Sequence, residues 1–226
     1  MASSQVPGLC ETHMGAHMSD ESHIIRSEED LRAIIGEPTS LAVIKSADRI
    51  TPPMRRFIEL SPFCCIASRN GAGEPDISPR GDPAGFVHIA DERTLLIPDR
   101  PGNKRGDTLS NILQDPIVAL IFLIPGVRDM LRVTGRAEIT TDPALLALFP
   151  VGGKLPKLVI RVHVEDALGH CSKAVRRSEL WEDTWHPAKG AVPTLAELCT
   201  DHLGMPDEKV QEVHEGIESR ATTTLY

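Results

Sequence analysis

The residues best suited to chemistry in this chain lie between Asp76 and Asn111, in two basic segments rich in Gly and Pro. The first is Ser78-Pro79-Arg80-Gly81-Asp82. The second is Asp99-Arg100-Pro101-Gly102-Asn103-Lys104-Arg105-Gly106-Asp107. Each lies beside a short apolar run, Gly85 to Ala90 and Thr94 to Pro98, and the second leads into a helix-like segment, Asp107 to Leu113. A strand, a basic Gly-containing loop and a helix start together make an anion site. Free backbone N–H groups and the positive end of the helix dipole face the anion, and Arg or Lys completes the cradle. The spacing matches neither G-x-x-x-x-G-K-[ST] nor G-x-G-x-x-G, so neither nucleotide fingerprint applies. The plainer alternative is a solvated loop for Lys104 and Arg105, and a hairpin turn with a local Arg80–Asp82 pair worth little at a surface.

Other reactive side chains have weaker claims. His170-Cys171 lies beside Lys173, but no Cys-x-x-Cys or His-x-x-x-His partner accompanies it at metal-binding spacing, so no metal site is expected. Lys173 and Arg177 share a helical face, with Trp181 following; they are candidate contacts for an anionic substrate, or they face water. Cys64 and Cys65 are adjacent in a strand-like run and point to opposite faces as small packing residues. His163 alternates with Arg161 and Glu165 on the exposed face of a strand.

Recurrent patterns indicate the elements that would position these groups. Ser27-Glu28-Glu29-Asp30 has the form of a capping box before Leu31, Ile34 and Ile35, and Gly36 and Pro38 end that helix. Thr51-Pro52-Pro53 opens a second helix that runs through Leu60. Strand patterns then follow at Phe63 to Ser68, Pro75 to Ser78, Phe86 to Ala90, Thr94 to Ile97, Ile117 to Ile124, Asp129 to Thr140 and Leu158 to Val164. Helices are expected at Asp107 to Gln114 and Ala144 to Phe149, then at Thr194 to Leu203 and Asp207 to Ile217. Short strands with turns at close spacing and one small inserted helix predict a mainly β chain with some α, an antiparallel and partly closed barrel.

Composition narrows the partners. The formal net charge is −8 and aromatic residues make up 4%. Both disfavour nucleic acid and anionic membrane surfaces, and a local basic motif on an acidic chain suits a small anion. No apolar run approaches the roughly 20 residues of a membrane span, and the first residues lack a signal-peptide core. The five cysteines show no framework spacing, which suits reduced thiols and a cytoplasmic location. Gly15-Ala16-His17-Met18 looks like a cloning scar, with the native start expected at or near Met18. The domain organisation expected is an N-terminal extension or tag over residues 1–22, a barrel domain over 23–187 and a helical extension over 188–226.

Taken together, Arg56-Phe57-Ile58 with Ser61-Pro62-Phe63, Asp76 to Asp82, Asp99 to Asn103 with Arg105, Asp107 and Asn111, Leu131 to Gly135 and His170 to Ala174 resemble the pyridoxamine 5′-phosphate oxidase-like family, the FMN-binding split barrels. The likeness spans about Arg56 to Trp181, and is to the subfamily described only as related to the oxidase. In the vitamin enzymes the run Arg-x-Val-Leu-Leu-Lys carries flavin contacts; Ser78 to Asp82 stands there instead. Their Ser-Arg-Lys phosphate contact falls on Asn103-Lys104-Arg105. The resemblance implies an FMN-binding split β-barrel of Greek-key type with flanking helices, and a homodimer holding FMN at the subunit interface. It implies an FMN-dependent oxidoreductase acting on an unidentified small molecule. Asn103, Lys104 and Arg105 are then expected to hold the phosphate, Arg80 to add a charge or reach the isoalloxazine, and Pro98, Asp99 and Arg100 to line the ring. Ser78, Pro79, Gly81 and Asn111 complete the expected cofactor set. Two alternatives stay open: a flavin- or haem-binding barrel without turnover, and a reductase using the deazaflavin F420.

Overall fold

A computed structural model describes residues 23–40, 44–182, 187–188, 190–223 and 225–226. The expected extension over 1–22 lies outside them. The chain divides into two units, residues 1–44 and residues 45–226. In the first, α1 is Glu28–Ile35: the Ser27 hydroxyl accepts the Asp30 N–H, and Gly36 closes the helix at φ 75°, where a residue with a Cβ is strained.

The second unit begins with β1 (Ser46–Ala47) and α2 (Pro52–Leu60), which opens on two prolines at its first turn. Then come β2 (Phe63–Arg69), β3 (Pro75–Gly81), β4 (His88–Asp91), β5 (Thr94–Pro98), α3 (Asp107–Gln114), β6 (Ile117–Leu123), β7 (Met130–Thr140), α4 (Pro143–Leu146) and β8 (Val159–His170). After β8 follow α5 (Lys173–Ser178), α6 (Leu195–Thr200), a 3-10 turn at Asp201–Leu203 and α7 (Asp207–Thr223). The strands form one antiparallel eight-stranded sheet ordered β3-β2-β6-β7-β8-β5-β4, with β1 paired to β8. The sheet curls into a split barrel with β3 and β4 as its edges.

The period-2 pattern builds the core. Cys64 and Ile66 of β2, Val118, Leu120 and Phe122 of β6, Leu131 and Val133 of β7, and Val162 and Val164 of β8 are all buried inward. Leu95 and Ile97 of β5 and Ile58 of α2 complete this core, and α3 packs across β2, β3 and β7. The buried Asn111 side chain of α3 donates to the Ser68 hydroxyl at 3.0 Å, tying the helix to β2.

Of the elements that differ from the sequence expectation, three bear on the core and the cleft. The segment Ser78 to Gly81 is strand, not turn: β3 runs through Pro79 because it is an edge strand, where a missing N–H costs no ladder bond. The strand expected to stop at Val164 continues to His170. A bulge opposite Thr134 and Gly135 shifts the pairing, so the buried positions change phase from Ile160, Val162 and Val164 to Ala167. The helix expected over Ala144 to Phe149 closes after Leu146, and Phe149 is buried against Leu96 and Val159.

Candidate functional site

The ends of β3 and β5, the loop 99–106 and the start of α3 enclose a cleft of about 1130 Å³. Both basic segments read from the sequence meet there: Ser78, Pro79, Arg80 and Gly81 from β3, Pro98 from β5, and Asp99, Arg100, Asn103, Lys104 and Arg105 from the loop. A pair of walls was not foreseen. One is the segment 151–157, and the other is Tyr226.

The cations at the cleft floor are paired crosswise between strand ends. Arg80 of β3 bonds Asp99 at 2.9 Å, and Arg100 bonds Asp82 at 2.7 Å. Arg100 also donates to the Phe149 carbonyl at 3.0 Å. The local Arg80–Asp82 pair offered by the hairpin reading is therefore replaced by two long-range pairs, because extended backbone at 78–81 carries Arg80 toward β5. Asp82 is the most enclosed member, its side chain only 2% exposed. Arg80 keeps one unmet donor: its Nε is buried with no hydrogen-bond partner among the described residues.

The loop before α3 has the backbone of an anion cradle. Lys104 and Gly106 take positive φ, 63° and 70°, and the Asn103 side-chain oxygen accepts the Arg105 N–H at 2.9 Å. Gly106 caps α3 without a side-chain acceptor, so the helix's first N–H groups face the cleft side of the loop uncapped. Arg105 is exposed and paired with Asp107 of the same helix turn. Among the described residues, Lys104 and Lys157 have no carboxylate within 4.0 Å, so they supply the uncompensated positive charge.

The segment 151–157 is shaped by Gly152 and Gly153, at φ 55° and 76°. Two successive left-handed residues make the tight turn that bridges Val151 to Lys154, and only glycine occupies both positions without strain. The turn sets Lys154 on the cleft, where its ammonium donates to the Tyr226 main-chain oxygen at 2.8 Å. The Tyr226 hydroxyl donates to Asp82 at 2.7 Å, and that bond pushes the phenol's pKa up. A Gly-Gly pair followed by Lys was a legible signal for the first wall; nothing in the sequence marked Tyr226.

Other candidates lie elsewhere. Asn111 is spent on the core bond to Ser68 and does not line the cleft. Lys173, Arg177 and Trp181 follow the far end of β8, whose near end, Val159, pairs with Pro98 beside the cleft. Within one chain the length of that strand separates them from it. Trp181 donates its indole N–H to the Val127 carbonyl at 2.9 Å, bracing the β6–β7 connection. His170 lies at that same far end; burial first, then the charges of Arg132 and Lys45, lower its pKa. Cys64 is a core thiol whose burial pushes its pKa up to about 12, so it is no nucleophile near neutral pH. His163 is exposed beside Glu138 at 3.5 Å. Among the described residues no helix is long and apolar enough to cross a membrane.

Fold and cleft define a class: a split barrel with a basic, ligand-sized opening at its strand ends. The chain belongs to the pyridoxamine 5′-phosphate oxidase family, whose model matches residues 50–171. No curated protein matches. Among solved structures, HupZ of Group A Streptococcus is 23% identical, covering 51% of this chain and 90% of that one, with a TM-score of 0.43. General stress protein 26 of Bacillus anthracis is 13% identical over 51% and 88%, with a TM-score of 0.40. An F420 reductase is 20% identical over 50% and 94%, with a TM-score of 0.38. At these levels the likenesses do not bear on what this chain binds.

Proposed function

We propose that this chain is a homodimeric, FMN-dependent oxidoreductase acting on a small molecule. The observation that carries the reading is the convergence of both basic segments on one cleft in a chain of this family. The cleft's size exceeds the roughly 300–1,000 Å³ usual for one drug-sized ligand, leaving room for a cofactor and a substrate together.

The residues present suit FMN. Lys104 and the uncapped start of α3 would hold the phosphate, joined by Arg105 once it leaves Asp107. Arg80 lines the cleft, and its guanidinium is a donor for the polar edge of a ring. Bound FMN would supply hydride or electron transfer. Asp82, Asp99 and Asp107 are each held in an ion pair with arginine, while Asp76 of the cleft lining accepts from the Thr108 hydroxyl at 3.4 Å. The carboxylates of Asp82 and Asp99 fix Arg100 and Arg80 in place.

The dimer has a surface to form on. The outer faces of β2, β3 and β6 place Cys65 beside Pro79 and Ile121, and Ala67 beside Ile77 and Ala119. Ile77 is 66% exposed there and also lines the cleft. A second copy seated on this patch would bury apolar surface and wall the same cleft, which supports self-association through this face.

The test is a spectrum and a titration. Protein purified without added cofactor should carry FMN, or take it up when titrated. Arg105→Ala and Lys104→Ala should each weaken FMN at least about tenfold, as expected for a lost charged hydrogen bond. A colourless protein that takes up no FMN overturns the reading.

A further inference from the structure

Tyr226 makes contacts in the cleft that a ligand would make. Its hydroxyl donates to Asp82 Oδ1 at 2.7 Å. Arg100 Cζ lies 5.6 Å from its ring centroid, within cation–π range. Its main-chain oxygen accepts from Lys154 Nζ at 2.8 Å. Asp82 sets what the place selects. Its Oδ2 is taken by Arg100 at 2.7 Å, while Oδ1 depends on the Tyr226 phenol for a donor. With Tyr226 in place the Asp82 carboxylate is 2% exposed, so a molecule that takes the site must bring its own donor to Oδ1.

Tyr226 is not locked in place by a core. It is 38% exposed and Leu225 beside it is 60% exposed. Its hold on the cleft consists of polar and cation–π contacts, which another molecule can supply equally well. Lys154, meanwhile, is presented by the Gly152-Gly153 turn and spends its ammonium on the Tyr226 main-chain oxygen. A carboxylate or phosphate oxygen of a ligand can take that place with a charge-assisted bond.

We propose that Tyr226 is a displaceable plug in a substrate subsite formed by Asp82, Arg100 and Lys154. The molecule that replaces it is a planar ring with an O–H or N–H donor for Asp82 and an anionic oxygen for Lys154. This rests on the cleft being the substrate site proposed above. It adds the substrate class and a device that keeps the subsite closed until such a molecule arrives.

Desaminotyrosine is the probe, since it keeps the ring, the hydroxyl and the carboxyl carbon of tyrosine. By calorimetric titration it should bind the Tyr226→Ala chain on the order of tenfold more tightly than the unsubstituted chain, because the competing internal state is gone. Tyr226→Phe, which keeps the ring and the fold but loses the donor, should show a smaller gain. Hydrocinnamate, lacking the hydroxyl, should bind Tyr226→Ala more weakly than desaminotyrosine does. Adding Lys154→Met to Tyr226→Ala should remove the gain. Equal affinity of the unsubstituted and Tyr226→Ala chains for desaminotyrosine overturns the plug. So does a loss of FMN affinity in Tyr226→Ala, which would make Tyr226 part of the cofactor's wall. If FMN binds neither chain, the cofactor reading fails, and the desaminotyrosine comparison still decides the plug.

Discussion

Arg80 and Arg100 show how a formal charge differs from an available one. Each is four-fifths buried and held by a carboxylate from the opposite strand end, so the pairs bind β3 to β5 and leave little net field. The field that remains comes from Lys104, Lys157 and the helix start. Asp107 works against it by occupying Arg105 and placing a negative charge at the first turn of α3. Asp107→Asn should therefore tighten FMN roughly two- to fivefold, the size of a charge effect at a helix end; fluorescence quenching of the flavin measures it, and unchanged affinity would separate Asp107 from the phosphate. The residue types in the cleft were legible because basic side chains in Gly-containing loops stand out on an acidic chain. Their partners were not: Arg80–Asp99 and Arg100–Asp82 join strand ends brought together only by the fold. Asn111, placed in the cofactor set by the family resemblance, is buried on α3 and bonded to Ser68, a partner only the fold brings near.

Elements were legible where their pattern was local. α3 was read to its last residue because Gly106 and Pro116 bracket a helical period, and α2 because of its paired prolines. The second half of β8 was lost because the bulge flips the alternation, and a flipped alternation looks like a strand end. Gly135 sits at that bulge with no room beside it: a Cβ there would lie 2.0 Å from the His163 carbonyl oxygen. Backbone cannot yield as a flexible side chain would. Gly135→Ala should lower stability by about 3 kcal/mol through overpacking, read as a shifted urea midpoint. Gly169, with open space around its Cβ position, is the control: Gly169→Ala should move the midpoint far less.

At the scale of the whole molecule the fold class was legible from strand count, turn spacing and family likeness. The inclusion of Tyr226 in the cleft was not, because contacts so distant in sequence leave no periodic trace. The apolar outer face of β2, β3 and β6 sets the expected assembly. Ile121→Glu puts a charge at its centre, on a side chain that points away from the core. Sedimentation should then show a monomer in place of a dimer, with the far-ultraviolet spectrum unchanged, and FMN affinity should fall with the lost wall. A dimer that persists would move the interface elsewhere.

A barrel left open between β3 and β4 exposes strand edges, and an exposed edge is an invitation to any passing chain to add a strand. Pro75 and Pro79 answer it on β3. With their amide nitrogens closed into rings, the edge offers fewer donors for a foreign strand to read, and no continuous ladder can propagate along it. Pro79, which ends the strand pattern in the sequence, and Pro75, which begins it, thus leave the mouth open to small molecules while offering a foreign strand no continuous ladder.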